Sequence, residues 1–259
     1  MLNNDTIASS TKVAIVTGGS RGLGRNTVIS LARRGVDVIF TYKSGRAEAE
    51  EVAAGVRAEG RNAAAIQLDV ADSATFESFA DKVRQALQIF RKERFDFLVN
   101  NAGTSSGMSF LNAVEEEFDS LFMVHVKGPF FLTQRLLPLI NDGGRIVNIS
   151  SGLTRVVMNN RAAYGTMKAA VETMTRYMAF ELGSRKIAVN VVAPGAIATD
   201  FSGGVVRDNP EVNKAVSNMT ALGRAGLPDD IGPMIASLLS EDNRWVNAQR
   251  IEVSGGMSI

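Results

Sequence analysis

The sequence predicts a single α/β domain, a doubly wound, mostly parallel sheet with helices on both faces, Rossmann-like in plan. Short apolar runs alternate with longer helical patterns along the chain, as repeated βαβ units require. Glycines crowd the segment just after the first apolar run, Thr17-Gly18-Gly19-Ser20-Arg21-Gly22-Leu23-Gly24, where such a fold turns from strand to helix. A length of 259 residues fits one large core better than two ordinary domains.

Taken in order, Lys12 to Thr17 reads as a buried first strand and Gly22 to Arg34 as the helix that follows. Val36 to Tyr42 is a second short apolar run, and the charged segment from about Arg46 to Glu59 is its helix. Ala63 to Leu68 and Phe95 to Val99 are the next strands, separated by a helix around Ala74 to Phe90. Two long helical segments, about Ala113 to Leu139 and Ala162 to Leu182, bracket a strand at Gly144 to Ser150. Ile187 to Val192 and Gln249 to Val253 complete the sheet. Thr199 to Pro228, rich in Gly, Asn and Asp, is the least regular stretch and is expected to form a mobile cover over a site. Residues 1–11 form a polar tail, leaving 12–259 as the domain. No repeat, low-complexity tract or linker interrupts it.

Composition excludes several classes of function. A formal charge of +1 gives no reason to expect a nucleic-acid partner. The absence of cysteine removes disulfides, thiolate catalysis and thiolate metal sites, and fits a reducing compartment. With one histidine a transition-metal site is not expected, and Glu115-Glu116-Glu117 is no cluster, because consecutive helix positions point apart. Met1 to Thr11 lack a basic start followed by an apolar stretch, so no signal peptide is visible. No run approaches the roughly 18 apolar residues that span a bilayer. The expectation is a soluble, cytoplasmic protein without membrane or metal.

The glycine turn points to a dinucleotide. Gly18, Gly22 and Gly24 lie where backbone must come close to a pyrophosphate and where a helix N-terminus offers free N–H groups. No Gly-Lys-Ser/Thr follows, so a nucleoside-triphosphatase loop is not expected. The second strand ends in Tyr42-Lys43, without the carboxylate that would hold a free ribose 2′-hydroxyl. Lys43 and Arg21 could instead pair with a 2′-phosphate, so NADP(H) is expected over NAD(H).

The chemistry is carried by Tyr164-Gly-Thr-Met-Lys168, with Ser151 thirteen positions upstream. Tyr164 and Lys168, four apart on a helix, share one face. A free phenol has a pKa of roughly 10, and a neighbouring ammonium would lower it. Tyr164 could then exchange a proton with a carbonyl or alcohol oxygen, while Ser151 donates to the same oxygen. With the glycine turn, this set points to a nicotinamide-dependent carbonyl reductase or alcohol dehydrogenase.

These motifs resemble the compact form of the short-chain dehydrogenase/reductase family, from Lys12 to the C-terminus. Further matching segments are Leu68-Asp69-Val70, Asn100-Asn101-Ala102-Gly103 and Pro194-Gly195…Thr199. The resemblance implies that Asp69 and Val70 border the adenine and that Asn101, Ala102 and Gly103 line the cofactor. It places Pro194, Gly195 and Ile197 to Thr199 at the nicotinamide carboxamide, and Lys168 on the nicotinamide ribose. It also implies an Asn in the long helix, supporting a kink and a water relay; here that place holds His125, which could sustain a relay with a different pH dependence. The branch it most resembles holds 3-oxoacyl carrier-protein reductases and sugar or polyol dehydrogenases. Arg185 matches a carrier-binding arginine, whereas Asn141-Asp142 replaces another basic place. Helices containing Phe130, Phe131, Leu132, Leu136 and Leu139, and Ala169, Val171, Met174, Tyr177, Met178 and Phe180, are broadly apolar, and the family implies a dimer through them, extended to a tetramer. The substrate pocket would draw on Thr104 to Met108, Leu153 to Asn160 and Phe201 to Leu222. The rival reading is a catalytically silent dinucleotide binder acting as a redox sensor or structural protein.

Overall fold

The computed structural model describes residues 11–259, so the polar tail, Thr11 apart, lies outside the described residues. Seven strands form one parallel sheet in the order β3-β2-β1-β4-β5-β6-β7. They are β1 (Val13–Val16), β2 (Asp37–Tyr42), β3 (Ala63–Gln67), β4 (Phe95–Asn100), β5 (Ile140–Ile149), β6 (Ala188–Pro194) and β7 (Arg250–Val253). The helices are α1 (Gly22–Arg33), α2 (Arg46–Ala58), α3 (Phe76–Ile89), α4 (Glu115–Phe122), α5 (Gly128–Leu136), α6 (Ala162–Glu181), α7 (Val205–Asp208), α8 (Pro210–Asn218) and α9 (Pro228–Leu238).

The central strands read as unbroken apolar runs because both faces are covered. Val13 and Ile15 face a core completed by Phe79 and Val83 of α3 and Leu132 and Leu136 of α5. Their neighbours Ala14 and Val16 face the opposite core, with Leu31 of α1, Val52 and Val56 of α2 and Ile231 and Ile235 of α9. The sheet reverses its winding between β1 and β4, and that reversal opens a crevice at the strands' C-terminal ends.

Three features differ from the sequence reading. The long helix expected from Ala113 to Leu139 is two helices joined by a π turn, Met123–Lys127. Pro129 has no N–H to give the carbonyl four residues back, that of His125, so regular winding fails there. The Gly128 N–H reaches Met123 O instead. The stretch Thr199 to Pro228 is more regular than expected, since it holds α7 and α8. Asn209 caps α8, its side-chain oxygen accepting from the Glu211 and Val212 N–H groups at 3.0 and 3.1 Å. Finally, α9 had no counterpart in the sequence reading, because Pro228 and Pro233 punctuate an otherwise apolar helix. Its Gly232 packs so closely on α1 that a Cβ would fall 2.0 Å from Asn26 Oδ1.

Candidate active site

Thr17 and Asn101 hold the crevice open at the reversal. Thr17 Oγ1 accepts from the N–H groups of Asn101 and Ala102, both at 3.0 Å. The Asn101 amide donates to the carbonyls of Thr17 and Gly18 at 2.9 and 3.1 Å. The Asn101 side chain therefore shapes the glycine turn from behind, while Asn100 points into the core toward Asn148 and Thr133.

Within the turn the glycines differ in purpose. A Cβ on Gly24 would lie 2.0 Å from Gly18 O, so that position is closed by the protein's own backbone. Gly22 has a φ of +54°, and a Cβ there would meet nothing nearer than Thr199 at 3.8 Å. Its vacant side faces the cleft, as a cradle for a bound phosphate group would. These residues border a cleft of about 730 Å³ that reaches from Lys43 to Tyr164. Ser20, Arg21, Leu23, Tyr42, Asp69, Val70, Ala102, Gly103, Pro194, Gly195, Ile197 and Thr199 line it with the three glycines and Asn101. Every expected cofactor residue thus lies on one cavity. Lys43 Nζ is 2.7 Å from the Asp69 carboxylate, and Arg21 also borders a second cavity with Arg161 and Phe201.

Ser151, Tyr164, Lys168 and His125 meet at the far end of the same cleft. The two adjacent serines make different contacts. Ser150 Oγ is turned inward, donating to Glu172 at 2.7 Å. Ser151 Oγ accepts from Leu153 N–H at 3.2 Å, which leaves its proton available. Lys168 Nζ lies 5.6 Å from the Tyr164 ring centroid and donates to Ile149 O at 2.8 Å.

Burial governs the electrostatics here. It pushes the Tyr164 phenol up to about 12, against the pull of the Ser151 hydroxyl and the Arg161 guanidinium. It draws the Lys168 ammonium down to about 7. The expected lowering of Tyr164 by Lys168 is not found in the protein alone, because a lysine sharing the same dry pocket loses much of its charge near neutrality. Arg161, three residues before Tyr164, is the missed contributor. Its guanidinium donates to Ser106 O, and no carboxylate pairs with it among the described residues. Nothing in its spacing distinguished it from a solvated helix-end cation.

His125 is buried at the centre of the π turn, its ring centroid 5.4 Å from that of Tyr164 and nearly perpendicular to it. Its Nε2 is 2.7 Å from Thr104 O, and Nδ1 has no partner among the described residues. Burial, then the Lys168 charge, lowers its pKa to about 3. A group titrating near neutrality was expected at this place; the buried ring is neutral instead.

Thr104 and Ser105, then Leu153, Val156 and Met158, then Phe201, Val205, Val212 and Val216 line the cleft around Tyr164. The Ser105 and Ser202 hydroxyls, 2.8 Å apart, join two of these segments.

Residues 18–258 match the family model described as Enoyl-(Acyl carrier protein) reductase. Tetrahydroxynaphthalene reductase of Pyricularia oryzae is 36% identical over 257 residues, covering 95% of this chain and 89% of that protein. The reductase LugOII, which catalyses keto-reduction at C1 in lugdunomycin biosynthesis, superposes with a TM-score of 0.91 at 36% identity, over 96% of this chain and 98% of its own. The angucycline C-6 ketoreductase LanV with bound NADP gives a TM-score of 0.90 at 35% identity, over 95% of both chains. Fold, motifs and relatives define a class, the nicotinamide-dependent oxidoreductases acting on carbonyl or alcohol groups. This chain belongs to the short-chain dehydrogenase/reductase family within it.

The buried histidine sets a pH signature. Between about 6.5, where the unfolded side chain titrates, and about 3 in the fold, only the unfolded chain binds the proton, so stability falls as pH drops through that window. Urea unfolding at pH 7 and pH 5 should show a loss on the order of 2 kcal/mol from this residue. His125→Asn should remove that part, and an unchanged difference between the two pH values would show that the ring is not held neutral.

Proposed function

We propose that this NADP(H)-dependent oxidoreductase works chiefly as a reductase of bulky, largely apolar ketones, with polycyclic aromatic ketones the best fit. Tyr164 acts as general acid, Ser151 orients the carbonyl and Lys168 lies behind the phenol. The observation that carries the reading is the meeting of Ser151, Tyr164 and Lys168 at one end of the cleft that the glycine turn borders, and the reductases among the chain's relatives support the direction. The Tyr164 phenol, raised by burial, is protonated at neutral pH and can give its proton to a nascent alkoxide. Bound nicotinamide supplies the hydride. Ser151, its oxygen already accepting from Leu153 N–H, keeps its proton and donates a hydrogen bond to the carbonyl oxygen, stabilising charge developing there. Hydrophobic side chains of the cover exclude water from that oxygen and strengthen both hydrogen bonds. Neutral His125, with Nδ1 unpartnered among the described residues, is suited to accept from a water behind Tyr164 and Lys168.

The substrate class rests on the cover. Leu153, Val156, Met158, Phe201, Val205 and Val216 present apolar surface to the cleft, and the Phe201 ring stands 6.2 Å from that of Tyr164. The named relatives act on hydroxynaphthalene and angucycline carbons, in keeping with this surface. A carrier-bound 3-oxoacyl thioester is a poorer fit. Arg185 is spent on Asp142 at 2.8 Å and on the carbonyls of Leu137 and Ile140. The silent-binder reading has no observation in its favour beyond His125.

Cofactor choice rests on Arg21 and Lys43 at the cleft. The protein pairs Lys43 with Asp69, so Arg21 is the freer cation. Assembly follows from the outward faces of α4, α5 and α6. Leu132, Leu136, Val171 and Met174 are core. Phe118, Phe122, Phe130, Phe131, Tyr177 and Phe180 stay exposed, Phe180 to 88%. Such a patch favours a second copy. Among the described residues no helix is long and apolar enough to cross a membrane.

Three measurements test these readings. NADPH oxidation should be fastest with a tetralone or hydroxynaphthalenone, slower with an acetoacetyl thioester or keto sugar, and at least about 10²-fold slower with Tyr164→Phe; a thioester preference or an active Tyr164→Phe protein would contradict the proposal. Replacing Arg21 and Lys43 by Ala should cut the NADPH-over-NADH affinity ratio by about tenfold or more, and an intact ratio removes them from 2′-phosphate recognition. Sedimentation should give a dimer or tetramer that Phe180→Glu weakens, whereas a monomeric native protein would overturn the assembly.

A further inference from the structure

Eight residues beyond Tyr164 and four beyond Lys168, Glu172 continues the same face of α6. One oxygen of its carboxylate collects three donors from two other parts of the fold. Ser150 Oγ and Thr154 Oγ1 each donate to it at 2.7 Å, and Arg250 Nε of β7 donates at 2.8 Å. Ser150 and Thr154 stand on either side of Ser151 in the turn that follows β5. Thr154 Oγ1 also lies 3.1 Å from Ser151 O, within the same turn. Arg250 reaches the same turn, at 3.1 Å to Thr154 Oγ1, and is held by Glu252 at 3.0 Å. Glu172 is mostly buried, its side chain 14% exposed, so its charge is worth holding there only with these partners in place.

We infer that Glu172 is a positioning residue for the reaction, clamping the Ser151 turn onto the helix that carries Tyr164 and Lys168 and so fixing the Ser151-to-Tyr164 distance. This rests on the proposed roles of Ser151 and Tyr164. The physical reason is economy of reference frame. Tyr164 and Lys168 share a rigid helix, whereas Ser151 sits on a turn after a strand and needs a separate tie to that helix. The tie is a charge-assisted set of hydrogen bonds, shorter and stronger than neutral ones. A loosened turn would cost transition-state geometry more than ground-state binding, since misplacement of about an ångström can slow a reaction about 10²-fold. It would also shift the Ser151 hydroxyl, which draws the Tyr164 pKa down against the effect of burial. The charged or titratable groups facing that phenol are Lys168 on its own helix, Arg161 at that helix's N-terminus and His125 on the π turn, and none of them is a partner of Glu172.

The test compares Glu172→Ala, Glu172→Gln, Ser150→Ala, Ser151→Ala and the double variant Glu172→Ala/Ser151→Ala in the full-length protein. Ketone reduction and alcohol oxidation are followed across pH. Glu172→Ala should lower kcat by about tenfold to 10²-fold with the NADPH KM within about twofold, and should raise the apparent pKa of alcohol oxidation. The double variant should be hardly slower than Ser151→Ala alone, and Glu172→Gln, which still accepts from Ser150 and Thr154, should recover most activity. Should Glu172→Ala fail to fold, Ser150→Ala must show a smaller loss with the same upward pH shift. A loss with an unshifted pH profile that multiplies with Ser151→Ala, or no loss at all, overturns the inference. Full activity in Ser151→Ala would instead defeat the underlying assignment of Ser151.

Discussion

A parallel sheet covered on both faces can present polar chemistry only where its strands end. In this protein the end that matters is the reversal between β1 and β4, where the two strands end and helices leave on opposite faces. Thr17 and Asn101 spend their side chains bracing that gap. The glycine turn, the Asn101-to-Gly103 loop and the Ser151 turn are all placed by it, because each directly follows a strand whose register the sheet has already set. Removing the brace would move cofactor-facing and substrate-facing walls together.

Dryness is the second consequence. The site groups are buried under the same cover, and desolvation dominates each. Tyr164 is driven toward its neutral phenol, Lys168 loses charge near neutrality, and His125 is neutral throughout the working range. The polar groups that survive in such a place are those with fixed partners, such as Ser150 on Glu172 and Lys168 on Ile149 O. Such an arrangement suits general-acid chemistry, because a protonated phenol and an oriented hydroxyl need no reorganisation when charge builds on a bound oxygen.

Much of this was legible in the residues. Central strands betrayed themselves by apolar runs that never alternate, and the glycine turn by its density of residues without a side chain. Tyr164, Lys168 and Ser151, singled out by their spacing, do meet at one end of the cleft. Other features lay outside what spacing records. The π turn depends on Pro129 depriving His125 of a donor while Gly128 presses on Val70 O, a tertiary circumstance. Helix α9 hid behind two prolines. The acidity of Tyr164 was read from its neighbour Lys168, whereas depth of burial sets it. Arg161 carried no signal in the sequence, yet it faces Tyr164 and draws its pKa down, while Arg185, read as a carrier-binding arginine, ties β5 to the turn before it. Such differences belong to packing, which a linear pattern encodes only indirectly.

On the proposed function, the cleft would hold a reduced nicotinamide beside a carbonyl for direct hydride transfer. The most direct measurement uses NADPH deuterated at one face of nicotinamide C4, a tetralone, and mass spectrometry of the alcohol formed. The account predicts one deuterium on the carbinol carbon from one face of the cofactor only, with a slower rate than for unlabelled NADPH. Alcohol formed without label, or label delivered equally from both faces, would contradict it.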